Sequence, residues 1–159
     1  MPTEAGEYIV GAYLQHVCEC DIVQYNVRLP GGGLKGLREI DVVGLNLAKR
    51  IAYLCEVKTH IRGVRPTTVK KIRHKYRHQR LYAKKRLAGF DTHHMFWSPV
   101  VPRGRLTRQL RGIRGLELMT NSNYRQAVER LKEIARQTTH DTSNPFMRTL
   151  QILEHLRDD

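Results

Sequence analysis

The spacing of apolar residues along the chain predicts a mixture of helices and strands. Apolar side chains recur every three or four positions in a helix with one buried face, whereas they alternate with polar side chains in a half-buried strand. The predicted helices of the first part of the chain cover residues 4–17 and 67–88, and the predicted strands cover residues 21–29, 38–45, 51–59 and 92–101. The predicted order is therefore helix, three strands, helix and strand.

The connections between these elements predict how the strands pair. Residues 46–50 form a short link, which favours an antiparallel hairpin of the second and third strands. A long helix separates the third strand from the fourth and favours a parallel crossover between them. We expect Thr3 to cap the first helix and the glycine-rich residues 30–36 to form a loop.

The C-terminal part predicts one more strand and two more helices. Its predicted elements are a basic connection (102–114), a short strand (116–120), a helix capped by Asn121 or Ser122 (to Gln137), a polar linker (137–144) and a last helix (145–156). The apolar stripe of the last helix packs in the core or binds a partner, such as a second copy in a homodimer, and consists of Met147, Leu150, Leu153 and Leu156. We expect one α/β domain over residues 1–137, followed by a linker and a C-terminal helix over residues 138–159.

The charge of the chain favours nucleic acid as the partner, with a soluble basic protein that binds no polyanion as the alternative. The 159 residues include 28 Lys and Arg against 15 Asp and Glu, which gives a formal net charge of +13. Such a surplus favours polyanions through phosphate contacts and counterion release, so nucleic acid is the expected partner. No amphipathic helix has the bulky aromatic face that membrane surfaces favour, and we expect no membrane partner.

The cysteines and the N-terminus indicate the compartment. Cys18, Cys20 and Cys55 are an odd number without the spacing of a disulfide framework or a four-ligand zinc site, as expected in a reducing environment. Neither an N-terminal signal segment nor an apolar run long enough for a bilayer is found in the sequence. We therefore expect a cytoplasmic protein.

Two carboxylates and a lysine in apolar strands are the strongest functional signal. Asp41 lies in the second predicted strand, and Glu56 and Lys58 lie in the third, where their two-residue spacing places both side chains on one face. At about 100° per residue, Glu7 of the first helix lies within roughly 20° of Leu14 on the inward face. Buried carboxylates are costly unless they bind a metal or take part in catalysis, so these residues form a candidate site.

The residue types indicate the chemistry of this site. Magnesium takes oxygen ligands and typically uses one or two protein carboxylates together with substrate phosphate oxygens. Asp41 and Glu56 supply that minimum, and Lys58 is placed to position a water molecule or to neutralise charge on a phosphate.

The residues Asp41 and Glu56-Val57-Lys58, with Glu7 on the preceding helix, resemble the PD-(D/E)xK nuclease superfamily. The pattern is most similar to archaeal Holliday-junction resolvases and Mrr-type restriction enzymes, and it covers about residues 4–101. The resemblance implies a restriction-endonuclease-like α-β-β-β-α-β core with a central mixed sheet flanked by helices. It also implies hydrolysis of DNA with Mg²⁺ or Mn²⁺, with Asp41, Glu56 and the Val57 carbonyl as metal ligands and Lys58 as catalytic lysine.

Several residues around the motif have alternative interpretations. Ile40 stands where the proline of the family motif is expected, and Glu39 either assists the metal or pairs with a neighbouring cation. Gln79 lies on the inward stripe of the long helix, within reach of the site. The residues expected to bind nucleic acid are Lys35, Arg38, Lys70, Lys71, Arg73, Lys75, Arg77, Gln79 and Arg105.

Two functions from different classes fit these observations. The first is a metal-dependent nuclease that acts on DNA, where DNA in preference to RNA follows from the resemblance alone. The second is a nucleic-acid-binding module without turnover, for example a subunit of a restriction, repair or defence assembly.

Overall fold

The computed structural model describes residues 2–28 and 39–158 and contains a five-stranded mixed sheet with helices on both faces. The strands lie in their chain order across the sheet, from β1 at one edge to β5 at the other. In chain order the elements are α1 (Ala5–His16), β1 (Ile22–Arg28), β2 (Glu39–Asn46), β3 (Ile51–Val57), α2 (Thr68–Arg86), β4 (Asp91–Ser98), α3 (Arg105–Arg111), β5 (Leu116–Thr120), α4 (Ser122–Gln137) and α5 (Pro145–Glu154).

The strand pairing changes from antiparallel to parallel in the middle of the sheet. β1 pairs with β2, and β2 pairs with β3, in antiparallel orientation. Only residues 47–50 link β2 to β3, and such a short link suits antiparallel neighbours. β3 pairs with β4 and β4 pairs with β5 in parallel, and the crossovers contain α2 and α3. The predicted hairpin and the predicted parallel crossover are both confirmed.

Each face of the sheet has its own apolar core. α1 and α4 pack on one face over Val42, Cys55 and Trp97, and α5 completes that layer by packing against α1 and α4. α2 and α3 pack on the opposite face over Leu54 and Phe96. Because side chains alternate along β3, Leu54 and Glu56 both lie on the α2 side of the sheet.

Some of the predicted elements differ from the observed ones. The predicted basic connection at 102–114 contains helix α3. Apolar spacing does not reveal this helix, because only two of its seven residues, Leu106 and Leu110, are buried. The predicted cap Thr3 is wrong, since Glu4 occupies the N-cap position of α1. The predicted ligands Lys35 and Arg38 lie outside the described residues.

The last helix buries only part of its predicted apolar stripe. Met147 and Leu150 are buried against α1 and α4, whereas Leu153 and Leu156 are exposed. Half of the predicted apolar stripe therefore belongs to the core. Among the described residues, no helix combines the length and the apolar composition needed to cross a membrane.

Candidate active site

The candidate site lies where strands β2 and β3 separate. Their backbone pairing runs from Asn46 opposite Ile51 to Val42 opposite Cys55. Beyond this point the carboxylate of Asp41 takes over, because its Oδ2 accepts a hydrogen bond of 2.8 Å from the Val57 N–H. The end of β3 is thus held by a side chain of β2 and by its parallel pairing with β4.

Strand β2 rotates at Asp41. In a regular strand Ile40 and Val42 would share a face, yet Ile40 packs in the α2-side core and Val42 in the α1-side core. On the neighbouring strand, Asn26 has a positive φ of 53° at the same level, between the pairs Tyr25–Val42 and Val27–Ile40. The backbone pairing of β2 with β3 ends at this level, whereas the pairing of β1 with β2 continues on both sides of it.

Glu56 is the most deeply buried acid of the site, with 3% of its side chain exposed. It lies one residue before the end of β3 and faces α2. Lys58 follows at the end of the strand, and its Nζ lies 2.8 Å from Glu56 Oε1. The two-residue spacing in the sequence therefore corresponds to a direct contact on one face.

Lys75 of helix α2 is the residue that joins the two acids. Its Nζ lies 3.0 Å from Glu56 Oε2 and 3.5 Å from Asp41 Oδ1, and 19% of its side chain is exposed. Lys75 is one of the predicted nucleic-acid ligands, and the structure places its ammonium between the two carboxylates. The ammonium of Lys75 therefore contacts one oxygen of each carboxylate.

The electrostatics of the site follow from burial. The pKa of Glu56 is raised to about 7, first by burial and then by the nearby Asp41 carboxylate, against the opposing effect of Lys58 and Lys75. Burial acts to lower the pKa of Lys75, but the Glu56 and Asp41 carboxylates outweigh it and raise that pKa. The site therefore favours a bound positive charge.

Glu7 lies beside the site and has a structural role as well. Its Oε2 accepts a hydrogen bond of 3.0 Å from the Glu4 N–H, as part of a capping box at the start of α1. Burial raises the pKa of Glu7, this backbone hydrogen bond opposes the rise, and the carboxylates of Asp41, Glu4 and Glu39 add to it. Glu7 and Glu39 thus contribute negative charge near Asp41.

Gln79 is buried and does not reach the exposed side of α2, where nucleic acid is expected to bind. It is buried under α2, and its Oε1 lies 3.1 Å from Nδ1 of His94 on β4. Burial lowers the pKa of His94 to about 4, so a neutral imidazole donates to the Gln79 oxygen. A buried side chain with this partner joins α2 to the sheet, and the predicted nucleic-acid contact of Gln79 is corrected accordingly.

The exposed side of α2 is strongly basic. Lys71 lies one helical turn before Lys75, so the two side chains are neighbours, and the exposed surface beside them is called the entrance of the site below. No acid is present in the first turn of α2. The predicted nucleic-acid ligands that the structure shows as exposed are Lys70, Lys71, Arg73, Arg77 and, on α3, Arg105.

The donor set of the site fits a hard divalent cation. The described residues contain no group of three or more His, Cys, Asp and Glu side chains able to hold a metal, so a zinc-type site is not formed by them. Magnesium needs fewer protein ligands, and one or two carboxylates suffice. Glu56 Oε2 is buried without a well-oriented hydrogen bond even though Lys75 lies 3.0 Å away, which leaves it able to bind a metal.

Comparisons with known proteins do not assign the chain to a family. No protein-family model matches it, and no curated protein is significantly similar to it. The function therefore has to be inferred from the residues of the site.

Proposed function

We propose that the protein is a metal-dependent nuclease with a restriction-endonuclease-like core, which hydrolyses phosphodiester bonds in DNA. The observation that carries the proposal is the buried pair of Asp41 and Glu56, which a strand lysine and a helix lysine contact at the point where β2 and β3 separate. The element order from α1 to β4 matches the order that the resemblance implies.

The burial of these acids supports a functional role. A carboxylate that is 3% exposed and next to a second carboxylate destabilises the fold, as the raised pKa of Glu56 indicates. A surface ion pair would avoid this cost. Strained or electrostatically unfavourable groups that persist in a fold are concentrated at active sites.

The roles of the residues follow from their positions. Asp41 Oδ1 and Glu56 Oε2 would hold Mg²⁺ or Mn²⁺, and the Val57 carbonyl stays a predicted ligand. When bound, the metal polarises the scissile phosphate and lowers the pKa of a water molecule. Lys58, with 27% of its side chain exposed beside Glu56, can reach a phosphate oxygen and neutralise the charge that develops there.

The surface around the site supports a nucleic-acid substrate. A polyphosphate backbone requires several cations along its path, and exposed Lys70, Lys71 and Arg73 lie on the same helix as Lys75. Of these three, Lys71 lies one helical turn from Lys75, which contacts both Asp41 and Glu56. A phosphate is thus attracted to the entrance while the acids retain their affinity for metal.

The test is incubation of the purified protein with supercoiled, linear, branched and single-stranded DNA, and with RNA, in Mg²⁺, Mn²⁺ or EDTA. We expect metal-dependent cleavage of DNA that falls at least about a hundredfold in Asp41→Asn and Lys58→Ala. Glu133→Gln on the exposed side of α4 is the control and should cleave like the wild type.

Two outcomes would contradict the proposal. Absence of cleavage under all these conditions, with binding retained in Asp41→Asn, would favour the binding module without turnover. Cleavage that persists unchanged in both site variants would point to a contaminating nuclease or to a different site.

A further inference from the structure

The ammonium of Lys75 lies between the carboxylates of Asp41 and Glu56. It contacts the oxygen of Asp41 that is not used by the Val57 N–H, and the oxygen of Glu56 that is not used by Lys58. These are the two oxygens that remain available for a metal. A divalent ion held by these two oxygens would therefore be held by the same atoms that Lys75 contacts.

We propose that Lys75 acts as an internal counterion of the metal-free site, and that a divalent metal ion binds by displacing its ammonium from Asp41 and Glu56. This inference rests on the proposed function, because it takes the two carboxylates as metal ligands. It adds to that function a role for Lys75 of α2, which controls metal binding.

The side chain has a place to go when it is displaced. Lys75 lies at the edge of the site, and its partly exposed, flexible side chain can turn towards the entrance beside Lys71. A nucleic-acid phosphate at that entrance would replace the carboxylates as its anionic partner. Metal binding and substrate binding then favour each other, since each stabilises the displaced position of Lys75.

A different role for Lys75 predicts a different result. If Lys75 only supported the local structure, its removal would disorder the carboxylates and weaken metal binding. If it only contributed to the overall positive charge, removal of another lysine from α2 would have the same effect. Competition predicts a tighter metal site in the Lys75 variant alone.

The experiment is titration of Mn²⁺ into DNA-free protein by isothermal calorimetry. We expect Lys75→Gln to bind Mn²⁺ at least about tenfold more tightly than the wild type. Lys84→Gln, which removes an exposed charge from the same helix, should stay within about twofold of the wild type. Asp41→Asn should lose the binding.

The outcomes separate this inference from the proposed function. If Asp41→Asn abolishes binding while Lys75→Gln binds like Lys84→Gln or more weakly, the metal site stands and the competition is wrong. If Asp41→Asn binds Mn²⁺ like the wild type, or if neither the wild type nor any variant binds it, both are wrong.

A measurement on the wild type does not depend on the folding of any variant. In a crystal structure of the Mn²⁺-bound protein, we expect metal at Asp41 and Glu56 and the Lys75 Nζ in contact with neither. Metal bound at both carboxylates while Lys75 keeps its contacts would overturn the inference.

Discussion

Replacing Glu56 by glutamine is expected to stabilise the metal-free protein, and the gain should increase with pH. Glutamine has nearly the same shape as glutamate but carries no charge. The raised pKa of Glu56, caused first by burial and then by Asp41, means that the folded protein disfavours the charged form of this side chain. The unfolded chain has no such preference.

The sign and magnitude follow from the two pKa values. Between the ordinary value of 4.5 and the folded value of about 7, the folded protein binds more protons than the unfolded chain, so stability falls as the pH rises. The full cost is about 3 kcal/mol and is present above the folded pKa. At about pH 5 most of this cost is absent, and about 1 kcal/mol remains.

The assay is urea denaturation of the wild type and Glu56→Gln in EDTA, at about pH 5 and about pH 8. We expect the variant to be more stable by about 3 kcal/mol at the higher pH and by about 1 kcal/mol at the lower. Glu133→Gln changes an exposed carboxylate that pairs with Arg130, and its effect should stay within about 1 kcal/mol at both values.

Two results would refute this reasoning. A stability difference that does not change with pH would show that the charge of Glu56 is not the cause. A variant less stable than the wild type at about pH 8 would show that the ion pairs with Lys58 and Lys75 outweigh the burial of the carboxylate.

Two further predictions concern the basic surface and the last helix. Replacing Lys70, Lys71 and Arg73 by glutamine should weaken DNA binding and reduce the slope of log Kd against log salt by about 0.9 for each lost phosphate contact, measured by fluorescence anisotropy; an unchanged slope would remove α2 from the interface. Asn144→Ala should destabilise the protein by about 1–3 kcal/mol in urea denaturation, because this side chain accepts from the Met147 N–H and donates to the Tyr8 carbonyl. A change below about 0.5 kcal/mol would contradict the second expectation.

Local patterns were sufficient to predict most of the secondary structure and part of the site. The hairpin of β2 and β3 follows from a short link between two apolar runs, and it brings Asp41 to the end of β3. The contact of Glu56 with Lys58 follows from the two-residue period of a strand. Both features involve residues that are close together in the sequence, so the sequence pattern is enough to predict them.

Tertiary contacts were harder to predict because many residues offered the same chemistry. Helix α2 is rich in cations, and only its docking on the sheet distinguishes Lys75, which turns inward, from exposed Lys70 and Lys71. The same docking buries Gln79 against His94. The helical stripe places Gln79 on the inward side but does not identify the strand residue that it contacts, and it leaves Lys75 among the other cations of the helix.

The two lysines of the site stabilise Glu56 in different ways. Lys58 is two residues away in the sequence, so its charge is near Glu56 even in a partly unfolded chain. Lys75 contributes only when α2 is docked, and it then faces both Glu56 and Asp41. Docking of α2 therefore has two opposite effects on Glu56. It buries the carboxylate, which raises the pKa, and it brings in Lys75, which lowers it. In the proposed exchange, a metal ion would replace Lys75 while the packing of α2 stays in place, so the fold would keep its acids buried as its cation changes.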